Sequence, residues 1–292
     1  MDCFIVQNLL AQGETVSRTQ AKRLIQQGKI ISLQNISLKP HHKVKEGQQF
    51  KIIWQKNDLC DTLIPENIPL KIIYEDNDIA VIYKPSGLVV HPAAGNLKHT
   101  LVNAILYRFK QLSSVNPKRP GIVHRLDKDT SGVMVIAKNN LAHYSLARQF
   151  AEHSITREYV AIVKGKIEFD EDVLELPICR HPRQRKKLWV GFGKNSRYAK
   201  TRYKTIIRRD DASLIKLFPF TGRTHQLRVH LAFIGHPVLG DLKYDNDKSF
   251  SRLALHACLL GFMHPVDNKY VEFSTAIPKE FLDYFGLKSL KI

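Results

Sequence analysis

At 292 residues the chain is long enough for one large domain with a small partner, each able to bury a core. Hydrophobic residues make up 43% of it, mean hydropathy is -0.24, and no apolar run nears the ~20 residues of a membrane span, so a membrane protein is not expected. Lys and Arg number 45 against 27 Asp and Glu, a net charge of +18 with a pI near 9.7, which favours a polyanionic partner, nucleic acid first, over a merely soluble basic surface.

The chain opens Met-Asp-Cys-Phe-Ile-Val, with an acid where a signal peptide carries basic residues and with Gln7 and Asn8 interrupting the apolar run; a cytoplasmic protein is expected. Helical patterns follow at 4–12 and 18–27, the second opened by Ser17 as an N-cap and closed by Gly28. Strand-like stretches 30–33 and 49–53 come next, separated by the polar stretch 39–48. On the second helix Arg18, Lys22 and Arg23 share a face while Leu24 and Ile25 turn inward. A basic face of this kind can meet RNA phosphates; a packing or dimerisation module is the other reading.

Residues 57–69, with Asn57-Asp58, Pro65 and Pro69, read as a linker, dividing the chain into 1–56 and 70–292. Strands at 71–74 and 79–83, joined by Glu75-Asp76-Asn77-Asp78, form a hairpin. Strand patterns recur at 122–123 with 133–136, at 159–163 and at 213–217, and helical patterns at 140–153 and 224–234. The last helix stops at Gly235 and carries Leu227, Leu231 and Ile234 on one stripe. Helices among hairpin-linked strands, without regular βαβ alternation, define an α+β fold on a mixed, mainly antiparallel sheet with flanking helices.

Between two apolar strands runs Gly121-Ile122-Val123-His124-Arg125-Leu126-Asp127-Lys128-Asp129-Thr130-Ser131-Gly132, a loop dense in charge, and such loops on rigid strands are where reactive groups are displayed. Asp127 is flanked by Arg125 and Lys128, cations that favour an ionised carboxylate able to act as a nucleophile. Asp is also a turn former, and the residues alone leave both roles open; Asp129, with Thr130, Ser131 and Gly132, suits the turn better. The run Arg180-His181-Pro182-Arg183-Gln184-Arg185-Lys186-Lys187-Leu188-Trp189 is the densest basic stretch, fit for phosphate contact through Arg183, Arg185 and Lys186 or simply a solvated loop. Cys3, Cys60, Cys179 and Cys258 show no CxxC spacing and the histidines no HExxH run, so neither a disulfide framework nor a metal is expected.

The stretch 124–132 resembles the signature of the RluA family of pseudouridine synthases, in its RluC/RluD-like branch. Three further blocks agree in order: Lys84-Pro85-Ser86-Gly87-Leu88-Val89-Val90-His91-Pro92; Arg157-Glu158-Tyr159-Val160-Ala161 with Gly165; and Thr221-Gly222-Arg223-Thr224-His225-Gln226-Leu227-Arg228-Val229-His230 with Gly235-His236-Pro237 and Gly240-Asp241. Residues from about 68 onward carry this resemblance. The first segment resembles the S4 RNA-binding domain at Ser17-Arg18, Gly28-Lys29-Ile30 and Glu46-Gly47, and departs from it at 32–35 and at Gln48.

The resemblance implies a pseudouridine synthase fold and the isomerisation of uridine to pseudouridine in structured RNA, without a cofactor and with no obligate protein partner evident. Large-subunit (23S) ribosomal RNA is the first target it implies, with transfer RNA or both as the alternative; a catalytically silent RNA-binding assembly factor and a base-releasing glycosidase are the rival readings. It implies Asp127 as the essential carboxylate, Tyr159 stacked on the uracil, Arg223 paired with the carboxylate, and Arg125 filling the space the flipped base leaves. Leu227 lines the uracil pocket or packs in the core, while His124, His225 and His230 hydrogen-bond around the loop without a catalytic role.

Overall fold

The computed structural model describes residues 1–11, 18–34, 36–53, 63–92, 98–184, 187–246 and 248–290, and divides into two units, Met1–Leu63 and Ile64–Ile292. In the first, helices α1 (Asp2–Ala11) and α2 (Arg18–Gln26) are followed by the antiparallel pair β1 (Ile30–Ser32) and β2 (Phe50–Ile52). Ile5, Leu9, Leu24, Ile25 and Ile30 form its core. Helix α2 ends where the sequence requires: Gly28 takes φ +69°, and the N–H groups of Gly28 and Lys29 bond the carbonyls of Ile25 and Leu24 at 3.1 and 2.9 Å. The basic face is partly answered from within, because Arg18 and Lys22 lie 3.2 and 3.8 Å from the buried Asp2 carboxylate. The expected cap Ser17 and the side chain of Arg23 lie outside the described residues.

The second unit runs β3 (Lys71–Glu75), β4 (Ile79–Lys84), α3 (Leu101–Arg108), β5 (Ser131–Ala137), α4 (Asn140–Ala151), β6 (Thr156–Lys164), β7 (Glu171–Glu175), β8 (Ile178–Arg180), β9 (Leu188–Val190), β10 (Lys200–Arg208), β11 (Ala212–Pro219), α5 (Gln226–Phe233), β12 (Leu255–Met263), β13 (Tyr270–Ser274) and α6 (Lys279–Tyr284). Nine of these strands form one sheet in the order β3-β4-β5-β12-β6-β11-β10-β7, with β13 also on β12; β8 and β9 pair separately. Every pair in the sheet is antiparallel except β5 with β12. The expected α+β fold on a mixed, mainly antiparallel sheet is therefore what forms.

The parallel join lies just beyond the charged loop. His256 and Ala257 of β12 pair with Ser131 and Gly132 of β5, and the Ser131 hydroxyl meets His256 Nδ1 at 2.9 Å. Gly132 has φ +131°, and a Cβ there would stand 2.1 Å from the Ala257 carbonyl oxygen, so only glycine lets the strands close. Strand β5 is buried along its whole length, with α4 packed on it and on β12. Helices α5 and α6 contribute Leu231 and Phe281 to a second core over β6, β11 and β12.

Several elements depart from the periodicity reading. Helix α3 went unanticipated because five consecutive residues, 101–105, are all buried, which leaves no polar stripe to mark its period. Its start is nonetheless chemically defined by the reciprocal capping box of Thr100 and Asn103. The stretch at 122–123 is no strand, only a bridge from Ile122 to Ile136. Helix α5 begins at Gln226, two residues later than expected.

Candidate active site

Asp127 stands on the loop before β5, and that loop is clamped from outside. Lys84, at the end of β4, is fully buried, and its Nζ donates to the carbonyls of Pro85, Leu88 and Lys128, all at 2.8 Å. Ser86 Oγ donates to the Asp129 carbonyl at 2.7 Å and the Gly87 N–H to that of Lys128 at 3.0 Å. From the other side His124 Nε2 accepts the Val135 N–H at 3.0 Å while its ring stacks on Phe150. Burial pushes the Lys84 ammonium down to about 7, yet three carbonyl acceptors match the three N–H bonds of its charged form. Lys84→Met keeps the length but strands those carbonyls, so a loss of roughly 3 kcal/mol is expected from the denaturation midpoint. A variant as stable as the parent would show that the amine does not hold the loop.

The carboxylate has an arginine partner, and it is Arg228. Arg228 Nη1 lies 3.1 Å from Asp127 Oδ2, with His225 Nε2 at 3.9 Å from the same oxygen. The remaining edge of this buried guanidinium grips Asp241, Nε to Oδ2 and Nη2 to Oδ1, both at 2.7 Å. Asp241 is itself 1% exposed and accepts the N–H groups of Lys243 and Tyr244. Burial works against the Arg228 charge, but the two carboxylates reverse this and raise its pKa. Gly240 holds φ +70° and would drive a Cβ to 2.0 Å from the Arg252 carbonyl oxygen, which fixes the turn that delivers Asp241.

Arg223 therefore does not make the ion pair expected of it; its Nε donates to the Tyr198 carbonyl at 2.9 Å. The reason is the turn before α5. His225 adopts φ +53° as the N-cap, so residues 221–225 are not helical. The buried Gln226 side chain pins that turn: its Oε1 accepts from Thr221 Oγ1 at 2.7 Å and from the Arg223 N–H at 3.0 Å, and its Nε2 donates to Lys200 and Thr201. Arg228, in the first turn of the helix, is the one carried to the loop. Both Arg228 and Asp241 stood in the sequence blocks, with a buried guanidinium's need for counter-charge as the available signal.

Two cavities meet at this pair. One, of about 530 Å³, is lined by Asp127, Arg157, Tyr159, Arg223, Leu227 and Leu255 among others, within the range of ligand pockets. The other, of about 1340 Å³, is lined by Lys128, Lys187, Lys243, Lys248 and Arg252. Arg125, Asp127, His225 and Arg228 border both. Tyr159 is half-buried on β6, and burial raises its phenol pKa while Arg157 works the other way. Leu227 packs into the core and also borders the smaller cavity. Arg125 is exposed and makes no hydrogen bond or ion pair among the described residues.

The basic run is only partly described. Arg183 is exposed, its N–H bonding His181 Nδ1 at 3.2 Å, whereas Arg185 and Lys186 lie outside the described residues. His225 and His230 bond Tyr244 and the pair Thr201 and Leu176. Among the described residues the group with metal-ligand spacing is Asp76, Asp78 and His264, at the hairpin turn; Asp76 already accepts the N–H groups of Asp78 and Ile79 and meets His264 Nε2 at 3.0 Å. No described helix is long and apolar enough to cross a membrane.

Burial pushes the imidazoles of His124, His225 and His256 down to about 3, 4 and 4. Their folded values lie below the unfolded ~6.5, so the unfolded chain binds more protons and stability, complete above that value, is lost as pH falls toward 4. The melting temperature is expected to drop by roughly 5 °C or more between about pH 7.5 and pH 5. A flat profile would mean that these rings are not held neutral.

Comparison with known proteins first gives the class. Human RNA Pseudouridylate Synthase Domain Containing 1 superposes with a TM-score of 0.61 at 28% identity, over 77% of this chain and 91% of that one. An enzyme that remodels RNA nucleosides is thus the class the fold defines. Residues 78–233, more than half of the chain, match the family described as RNA pseudouridylate synthase. An uncharacterized RNA pseudouridine synthase of Aquifex aeolicus is 44% identical over 92% of this chain and 89% of its own length. Ribosomal large subunit pseudouridine synthase D of Zymomonas mobilis is 42% identical, over 91% and 87%. The chain belongs to the RNA pseudouridylate synthase family; it is an enzyme whose substrate is RNA.

Proposed function

We propose that this enzyme converts specific uridines of large-subunit ribosomal RNA to pseudouridine, with Asp127 as the carboxylate that starts the reaction. The observation that carries the reading is the place of Asp127, oriented by Arg228 at the junction of a base-sized cavity and a basic one. The flipped uracil lies against Tyr159 and Leu227 in the smaller cavity, where an aromatic face suits an unstacked base. The flanking strand runs through the larger, past Lys187, Lys243 and Lys248. Extruding a nucleotide costs a few kcal/mol. Arg125, exposed and with no hydrogen bond or ion pair among the described residues, enters the vacated stack and offsets part of that cost.

At C1′ the Asp127 carboxylate either bonds the sugar or removes its C2′ proton, the N1–C1′ bond breaks, the uracil turns, and C5 joins C1′. Arg228 holds one carboxylate oxygen and leaves the other for the sugar. The first unit, an S4-like module, adds phosphate contacts through Arg18, Lys22 and Arg23, and the loop at Arg183, Arg185 and Lys186 does the same. The ribosomal target follows from the likeness to the Zymomonas large-subunit enzyme, and it implies work in the cytoplasm. The test is a pseudouridine map of total RNA from cells with and without the protein. Sites lost from large-subunit RNA support the assignment; loss confined to transfer RNA overturns it.

A further inference from the structure

Arg157 is a half-buried arginine of the smaller cavity, and its surroundings are unlike those of the buried Arg228. It sits two residues before Tyr159 on β6, so both side chains leave the same face of the strand. Its Nη2 donates to the carbonyls of Pro219 and Phe220 at 3.1 and 3.3 Å, which orients the plane. Its Nε is buried without a partner, and no carboxylate lies within 4.0 Å of it among the described residues. Nη1 carries no hydrogen bond and stands at Gly222, in the cavity wall, where a Cβ would come within 3.0 Å of it. Burial lowers the Arg157 pKa, and against that desolvation cost the fold sets two backbone carbonyls but, among the described residues, no carboxylate within 4.0 Å. A cationic donor left without a counter-ion in a reaction cavity fits an anion that exists only during reaction.

We propose that Arg157 is a further catalytic residue, whose free guanidinium edge donates to a uracil carbonyl oxygen and holds the negative charge the base acquires when its glycosidic bond breaks. The electron balance requires such a group. As N1–C1′ breaks, its electron pair stays with the uracil and spreads over N1, O2 and O4, while C1′ is satisfied by an Asp127 oxygen or by loss of the C2′ proton to it. When C5 bonds C1′ the Asp127 oxygen leaves C1′, or the proton returns from Asp127 to C2′, so the charge passes back to the carboxylate; the C5 proton then leaves and N1 takes up a proton. The base is thus anionic only between the two bonds, and a neutral ground-state uracil gains less from Arg157 than the detached one.

This inference rests on the Asp127 cavity being where the uridine reacts, and the experiment separates the two. Single-turnover rates and RNA affinity are measured for the full chain on transcripts of large-subunit ribosomal RNA made with uridine or with 5-fluorouridine, whose fluorine itself stabilises a detached uracil anion. Consumption of the nucleoside is followed by digestion to nucleosides and chromatographic separation of the isomers with mass detection. Arg157→Gln is expected to slow the reaction at saturating RNA by roughly 10²- to 10³-fold, the scale of removing one oxyanion donor, with affinity nearly unchanged. The deficit should shrink on the fluorinated RNA, and Arg157→Lys should restore part of the rate. Gly222→Ala, which crowds the guanidinium without removing it, should give an intermediate loss, so the idea stays testable if the Gln variant folds poorly. Equal deficits on both RNAs, or a loss that lies in affinity, would overturn the role of Arg157. Activity surviving Asp127→Asn would instead remove the cavity reading beneath it.

Discussion

Asn in place of Asp127 is expected to abolish isomerisation while leaving the fold and RNA binding in place. The substitution keeps the shape and an acceptor oxygen for Arg228 Nη1, and Arg228 retains its two bonds to Asp241, so no buried cation is stranded. What disappears is the charged oxygen proposed to act on the ribose. A neutral amide neither attacks C1′ nor takes a proton from C2′, and loss of the reacting group itself costs on the order of 10⁴-fold or more in turnover. Tritium release from RNA labelled at uracil C5 measures this directly. Turnover within tenfold of the parent would sink the assignment of Asp127.

The second large effect separates two arginines five positions apart. Arg228→Gln leaves Asp127 and the fully buried Asp241 without their shared cation, and breaking a buried pair from one side costs about 3–5 kcal/mol. A fall in melting temperature and a steep loss of turnover are both expected. Arg223→Gln removes only a bond to the Tyr198 carbonyl, so melting should hold and turnover stay within a few-fold. The comparison is made with the same two readouts on both variants. The reverse ranking would return the partnership with the carboxylate to Arg223.

Much of this site can be read along the chain. The charged loop between apolar strands, with Asp127 at its centre, stands out from charge density and from the glycines and apolar runs that flank it. The hairpin of β3 and β4 and the buried strand β5 follow from β-branched runs and the turn at 75–78. Strands β7 and β10 did not show, because their exposed faces are filled with Glu, Asp, Lys and Arg that mask the alternation. Strand β12 is buried on both faces at nearly every position, so its apolar run carries no period to tell strand from helix.

The residue sequence by itself determined the chemistry available: one carboxylate among cations, an aromatic ring on a strand, a surplus of positive charge, and the family to which such blocks belong. Only the tertiary structure decided which groups meet. Asp127 and Arg228 are 101 positions apart, and their contact depends on a left-handed His225, on a Gln226 side chain satisfied by residues of β10, and on a Gly240 turn that brings Asp241 behind the guanidinium. Local pattern cannot fix such a contact, because a side chain's direction at the end of a helix is set by where the preceding turn is anchored. The same holds for Arg157: that its Nε is buried and its guanidinium has no counter-ion among the described residues follows from strands β6, β11 and the turn at Gly222 packing together, which no single stretch of the chain contains.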